Sequence, residues 1–574
     1  MTRKIVTALA TSLAALSLAA CSTMTPMMEA ESASAGPPQQ TSVAGAYLAA
    51  NFAAATGDVT GAAAFYANTL KEDPENGDIL SRAFLYAAES GQVDAAIALT
   101  DRVLLKDPNN RPAHLVKQVA AIARKDYGAV ETVAQPAGGG RGAFTVLTDN
   151  VIEAWALAGA RDFDGALAAL DKLSAQRGVD GLRLMHKAMI LEFAGRDAQA
   201  QEAYHETFTS QGAGPRAADA FGRFLIRSGR GDEARGLYQR VLRDNPGHPV
   251  ATAALRDIAA NRNPPPLVNG PAQGVAEALF GIAASLSDQR SADVAILYLN
   301  LALYLRPDFD LGRVLLANRY EGLNKFDIAN TVYARIQSGT PYYAMTQVQA
   351  AINDGRIGQQ DAGIRKLRAL VAAQPDEPDV WTALGDLLRG TDQYNEAIGA
   401  YGKAITGLRP GDRRLVMLFY ARGVSLEQSG RWDAAESDFQ AALKINPDRA
   451  DVLNYLGYSW VERERNLPEA VTMLEKARAL RPLDGPIADS VGWAYYKLAR
   501  YPDAVRVLEE AVQLSPGAAD INDHLGDAYW RVGRRIDARF QWNHALALQP
   551  DEKQKPVIER KLQFGLDAVS ASGQ

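Results

Sequence analysis

Rings and carboxylates recur at helical spacing near the C-terminal end of this 574-residue chain. Three sets stand out: Asn454, Tyr458 and Val461; Asp489, Trp493 and Tyr496; Asp523, Asp527 and Trp530. Steps of three and four residues place the members of each set on one helix face. Such a stripe can take an extended or helical peptide, because rings supply apolar contact area and asparagine can hydrogen-bond a backbone. Its carboxylates would favour a basic segment on the partner. The same aromatics would serve as core if Trp493 and Tyr496 pack against a neighbouring element, and the sequence supports both readings equally.

Other chemistry is poorly provided for. The six histidines (His114, His186, His205, His248, His524 and His544) include no pair at metal-ligand spacing on one helix. Each reads as a surface or interhelix residue. There is no H-E-x-x-H, no G-x-S-x-G elbow, no Walker loop and no Rossmann fingerprint. The cluster Gly138-Gly139-Gly140-Arg141-Gly142 lacks the following Lys-Ser/Thr and the preceding strand of a phosphate cradle, so it reads as a loop. Cys21 is the only cysteine, which excludes an intrachain disulfide and a cysteine zinc site. No catalytic residue, metal or cofactor is expected, and the chain does not read as an enzyme.

The elements that must carry the stripe are helical hairpins. Over 451–550 a glycine follows a bulky residue at Gly457, Gly492 and Gly526. Small residues recur at Ala470, Ala504 and Ala538 and at Ala477, Ala511 and Ala545, with bulky ones between at Leu474, Leu508 and Trp542. Each unit closes on Pro482, Pro516 or Pro550, a period of 34 residues. Small positions allow two helices of a hairpin to approach, and bulky ones fill the space between hairpins. A proline cannot continue a helix interior and so marks where the next hairpin begins. One hairpin cannot bury its apolar face alone, so copies must stack.

The pattern W-x2-L-G…A-x3-[FY]-x2-A-x4-P resembles the tetratricopeptide repeat, and Trp381-x2-Leu384-Gly385…Ala397-x3-Tyr401-x2-Ala404 repeats it. The resemblance implies an all-α, right-handed α-solenoid of about thirteen hairpins with a concave binding surface built from the first helix of each. The chaperone-binding relatives use Lys, Asn and Arg on this stripe; here it is acidic, so capture of a chaperone tail is not supported. Followed in both directions, the pattern predicts an N-terminal superhelix over 42–260 and a C-terminal one over 275–550. Between them 261–274, which contains Pro264-Pro265-Pro266, reads as a linker open to proteolysis, and 551–574 as a capping helix and tail.

The beginning of the chain sets the expected location. Arg3 and Lys4 precede an apolar stretch, Ile5–Ala20, that reads as a secretory signal peptide. Leu18-Ala19-Ala20-Cys21 resembles the bacterial lipobox, which implies lipidation of Cys21 and anchoring to a membrane. Ser22 after the cysteine, by resemblance to enterobacterial sorting, favours the outer membrane facing the periplasm, with the inner membrane as the alternative. Residues 21–41 read as a flexible tether with a mean reach on the order of 25 Å. The net charge of −6, without a basic block, argues against nucleic acid. The whole looks similar to proteobacterial repeat lipoproteins that act as adaptors of carboxy-terminal processing proteases. The function expected is a lipid-anchored scaffold for a protein or peptide partner. An assembly factor for polysaccharide export, pilus secretion or outer-membrane protein insertion is the alternative.

Overall fold

A computed structural model of the protein describes residues 42–130, 143–174, 178–210, 214–286, 288 and 291–567. Cys21, the signal and tether, and Gly138–Gly142 lie outside the described residues. Among the described residues there are 29 α-helices, one 3-10 turn at Tyr127–Ala129 and no strand. The fold is the expected α-solenoid of hairpins.

One hairpin shows why the sequence folds this way. Helix Gly485–Lys497 and helix Tyr501–Leu514 pack face to face, with Ala504, Leu508 and Ala511 fully buried between them. A Cβ on Gly492 would lie 2.6 Å from the Leu508 side chain, so the glycine and the bulky residue sixteen positions later are two halves of one contact. The following unit repeats it, with a Cβ on Gly526 falling 2.5 Å from the Trp542 ring. The turn between the helices passes through left-handed Ala499, whose amide and that of Arg500 bond back to Tyr496 and Tyr495 carbonyls at 2.9 Å. After Leu514 the chain extends at Ser515 and meets Pro516, which ends the unit.

The described residues divide into two compact units, with the boundary between 363 and 364. In the first unit the hairpins begin with Val43–Ala55 and Val59–Glu72, then Gly77–Glu89 and Val93–Lys106. The Pro-rich segment lies inside this unit. It is not loose: Leu267 and Val268 are buried, and Arg223 and Arg227 reach the Pro265 and Pro264 carbonyls at 3.5 Å. Beyond it, helices Pro271–Ser285 and Ala292–Leu305 turn back onto the first helices of the preceding hairpins, including Gly77–Glu89, Ala143–Gly159 and Asp180–Phe193. Asn300 donates to the Glu89 carbonyl at 2.6 Å, and the Tyr304 hydroxyl donates to Asp94 at 2.9 Å. Lys325 reaches the Gly57 carbonyl. One hydrophobic cluster runs from Ala50 to Phe309 through this contact. The inner face of these early hairpins is therefore filled by the chain itself.

The second unit stacks hairpins from Pro378–Gly390 to Arg535–Ala547 and closes on helix Gln554–Phe564. The longer spacing before Pro447 is taken up by the 407–413 connection and by the 15-residue helix Arg414–Gln428. A cluster from Val416 to Leu566 forms most of the core, with smaller ones around Leu453 and Ile521.

Candidate functional site

The predicted stripe lies on three successive first helices of the second unit: Ala450–Glu462, Gly485–Lys497 and Ala519–Arg531. Its members do not share one environment. Asn454, Asp489, Asp527 and Trp530 are buried, whereas Tyr458, Trp493, Tyr496 and Asp523 are half-buried.

The half-buried group centres on Trp493. Its ring stacks on Tyr496 at 4.7 Å with 5° between planes, and on His524 at 4.1 Å with 17°. The indole N–H donates to Glu462 at 2.7 Å, and Lys497 lies 5.6 Å from the ring centroid. Arg531 donates to the Tyr496 hydroxyl at 3.2 Å. Burial raises the Tyr458 and Tyr496 phenols above their ordinary range, so both stay neutral. Three stacked rings edged by polar groups form a rigid amphipathic shelf, of the kind that gives contact area at small conformational cost.

His524 was not a predicted site residue, yet it holds the shelf together. Its Nδ1 lies 2.9 Å from Asp489. Burial works against the imidazolium, but the charge and hydrogen bond of Asp489, backed by Asp523 and Asp520, outweigh it and push the pKa up to about 9. His524 is therefore charged at neutral pH and stacked as a cation on Trp493. Burial raises the Asp489 carboxyl, and His524 opposes that rise.

The other end of the stripe is closed from within. Lys561, on the closing helix Gln554–Phe564, places its ammonium 2.8 Å from both Asp523 and Asp527. Its side chain is 7% exposed, against 13% for Asp523 and 6% for Asp527. Burial lifts Asp527 to about 6 although Lys561 opposes it. The Trp542 indole also donates to Asp527, at 2.9 Å. Trp530 donates to Asp567 at 3.0 Å, carries the Arg535 guanidinium 3.7 Å above its ring, and abuts left-handed Gly565. Trp530, Asp523 and Asp527 are thus tied into the cap. The acidity expected to draw a basic partner is largely compensated internally by His524 and Lys561, and Glu462 is paired with Lys497 at 4.0 Å. Asn454 is buried, with its Oδ1 shielded from water and without a hydrogen-bond partner among the described residues. Among those residues no cluster of three or more His, Cys, Asp or Glu could hold a metal, and no helix is long and apolar enough to cross a membrane.

Comparison with known proteins agrees with this architecture. Tetratricopeptide repeat family models match residues 53–119, and again 349–413, 420–484 and 492–553. A TPR repeat-containing protein of Pseudomonas aeruginosa is 28% identical over 168 residues, covering 29% of this chain and 27% of that one. The cellulose synthase operon protein C of Pseudomonas fluorescens is 24% identical over 308 residues, covering 53% of this chain and 21% of that one. The matches therefore span about a quarter of these relatives' length or less. Among solved structures, the Cut9–Hcn1 hetero-tetramer of APC/C aligns with a TM-score of 0.37 at 15% identity, over 92% of this chain and 96% of that one. YrrB, described as a TPR protein with an unusual peptide-binding site, aligns with a TM-score of 0.28 at 19% identity over 34% of this chain and 97% of that one. The chain carries tetratricopeptide repeats in both units.

Proposed function

We propose that this chain is a lipid-anchored periplasmic scaffold that holds a protein partner on the inner face of its second unit. The observation that carries the binding reading is the Tyr496–Trp493–His524 stack, a half-buried aromatic shelf fixed by internal hydrogen bonds. The early hairpins of the first unit present no such surface, because helices Pro271–Ser285 and Ala292–Leu305 occupy theirs. Anchoring rests on Leu18-Ala19-Ala20-Cys21 with its single cysteine, followed by a tether on which the repeats extend from an outer membrane. The partner on this reading is a carboxy-terminal processing protease of the cell envelope, which the scaffold recruits. The likeness to cellulose synthase operon protein C over 53% of the chain favours a second reading, an assembly factor for polysaccharide export.

Purification of the protein from detergent-solubilised envelope separates the two. A co-purifying serine protease supports recruitment, and export components in its place support assembly. Cys21→Ser should release the protein from membranes; full membrane retention of this variant would refute anchoring.

A further inference from the structure

In the first unit three guanidinium groups gather around two buried carboxylates. Glu277, whose side chain is 1% exposed, accepts Arg216 Nε at 3.0 Å and Arg306 Nη1 at 2.8 Å. Asp219, 3% exposed, accepts Arg223 Nε at 2.9 Å, Arg216 Nη1 at 3.3 Å and the Tyr238 hydroxyl at 3.3 Å. The neighbouring acids are paired as well. Asp257 pairs with Arg262 at 2.5 Å and Asp310 with Arg313 at 3.2 Å. Asp308, 80% exposed, lies 3.5 Å from Arg306 and supplies a third carboxylate to the three guanidiniums. The cluster is therefore balanced in charge, but Arg306 Nε is shielded from water and makes no hydrogen bond among the described residues. A shielded donor without an acceptor is costly.

A cleft of about 220 Å³ opens on this cluster, and its walls include Phe309, Tyr342 and Ala254. The Arg306 and Arg216 guanidiniums lie 4.8 and 5.4 Å from the centre of the Phe309 ring. An apolar wall and a guanidinium with an unbonded, shielded Nε thus line one small cavity.

We propose that this cleft binds a single carboxylate borne next to an apolar group, as in the C-terminal residue of a peptide or a small organic acid. A monoanion supplies the acceptor that Arg306 Nε lacks. A phosphate dianion would meet stronger repulsion from Glu277, Asp219 and Asp308, and an apolar ligand without charge would leave that donor unpaired. The walls admit a short aliphatic chain beside the guanidiniums. This site is independent of the aromatic shelf in the second unit.

Calorimetric titration of the full chain with N-acetyl-leucine and N-acetyl-leucinamide tests the proposal. The acid should bind at least tenfold more tightly than the amide. Arg223→Gln, which leaves Asp219 bonded to Arg216 and Tyr238, should weaken the acid tenfold or more. Ala254→Trp, which places a ring in the cleft from its apolar wall, should do the same; should it fail to fold, Arg223→Gln alone carries the test. Acetyl-Ala-Ala-Ala-Leu binding tenfold more tightly than acetyl-leucine assigns a peptide terminus, and equal affinities assign a small acid. Equal binding of acid and amide, tighter binding of inorganic phosphate, absence of binding, or an undiminished affinity in Arg223→Gln would overturn it.

Discussion

Lys561→Met removes the ammonium that joins the closing helix to Asp523 and Asp527 while keeping a side chain of similar length. Both carboxylates are nearly shielded from water and both lie 2.8 Å from the lost charge. Removing one partner of a buried ion pair costs roughly 3–5 kcal/mol because the other charge is left uncompensated. Here the loss should fall near the lower end. Burial already lifts Asp527 to about 6 beside Lys561, and taking up a proton at pH 7 then costs only on the order of 1 kcal/mol. The expected destabilisation is about 2–3 kcal/mol at pH 7.5, or a fall in melting temperature of roughly 5–10 °C for a unit of this size. Helix Gln554–Phe564 should exchange its amides faster than the hairpins before it, because loss in a repeat array is local. The pH dependence has a fixed sign. In the variant the folded-state carboxyl pKa lies above its unfolded value, so the protonated form is favoured in the fold. Its stability relative to the parent should therefore recover as pH falls through that raised pKa, between about 7 and 5. Thermal melts at pH 7.5 and 5 decide the matter: an unchanged melting temperature, or a gap that widens on acidification, would refute the reasoning.

Other substitutions separate the shelf from the core. Trp493→Ala should weaken partner capture with little loss of helicity, whereas Trp530→Ala should cost about 3–5 kcal/mol by emptying the space beneath Arg535 and Gly565; circular dichroism melts and pull-down of the pair check both. His524 has a pKa raised from about 6.5 to about 9, so its stabilising contribution, about 3 kcal/mol, is complete below pH 6.5 and lost as pH rises through 9. The difference in melting temperature between the parent and His524→Asn should shrink accordingly between pH 7 and 10. Gly526→Ala places a Cβ 2.5 Å from Trp542 and should destabilise the last hairpin by about 1–3 kcal/mol in denaturant titration, while Gly517→Ala, with open space around it, should not.

The hairpins were legible because three signals share one period: glycine, a bulky residue sixteen later, and proline at the close. The stripe was legible too, since three- and four-residue steps need only the helix repeat. Its exposure was not. Lys561 and Asp567, which cover Asp527 and Trp530, lie beyond the last repeat and have no counterpart at earlier positions. His524 looked isolated because its partner Asp489 is 35 residues away, one repeat plus one position along the same face. The filling of the early hairpins was missed because three consecutive prolines look like a separator. A signal was present in Ala292–Leu305, which is apolar almost all round and so must be buried on more than one side.

The most direct test of the central claim is site-specific photo-crosslinking in intact envelopes. A benzophenone side chain placed at Tyr496, on the shelf, is compared with one at Arg506, exposed on a second helix. The account predicts a discrete crosslinked protein from position 496 that is absent from position 506. Crosslinks of equal yield and pattern from both positions, or none from 496, would contradict it.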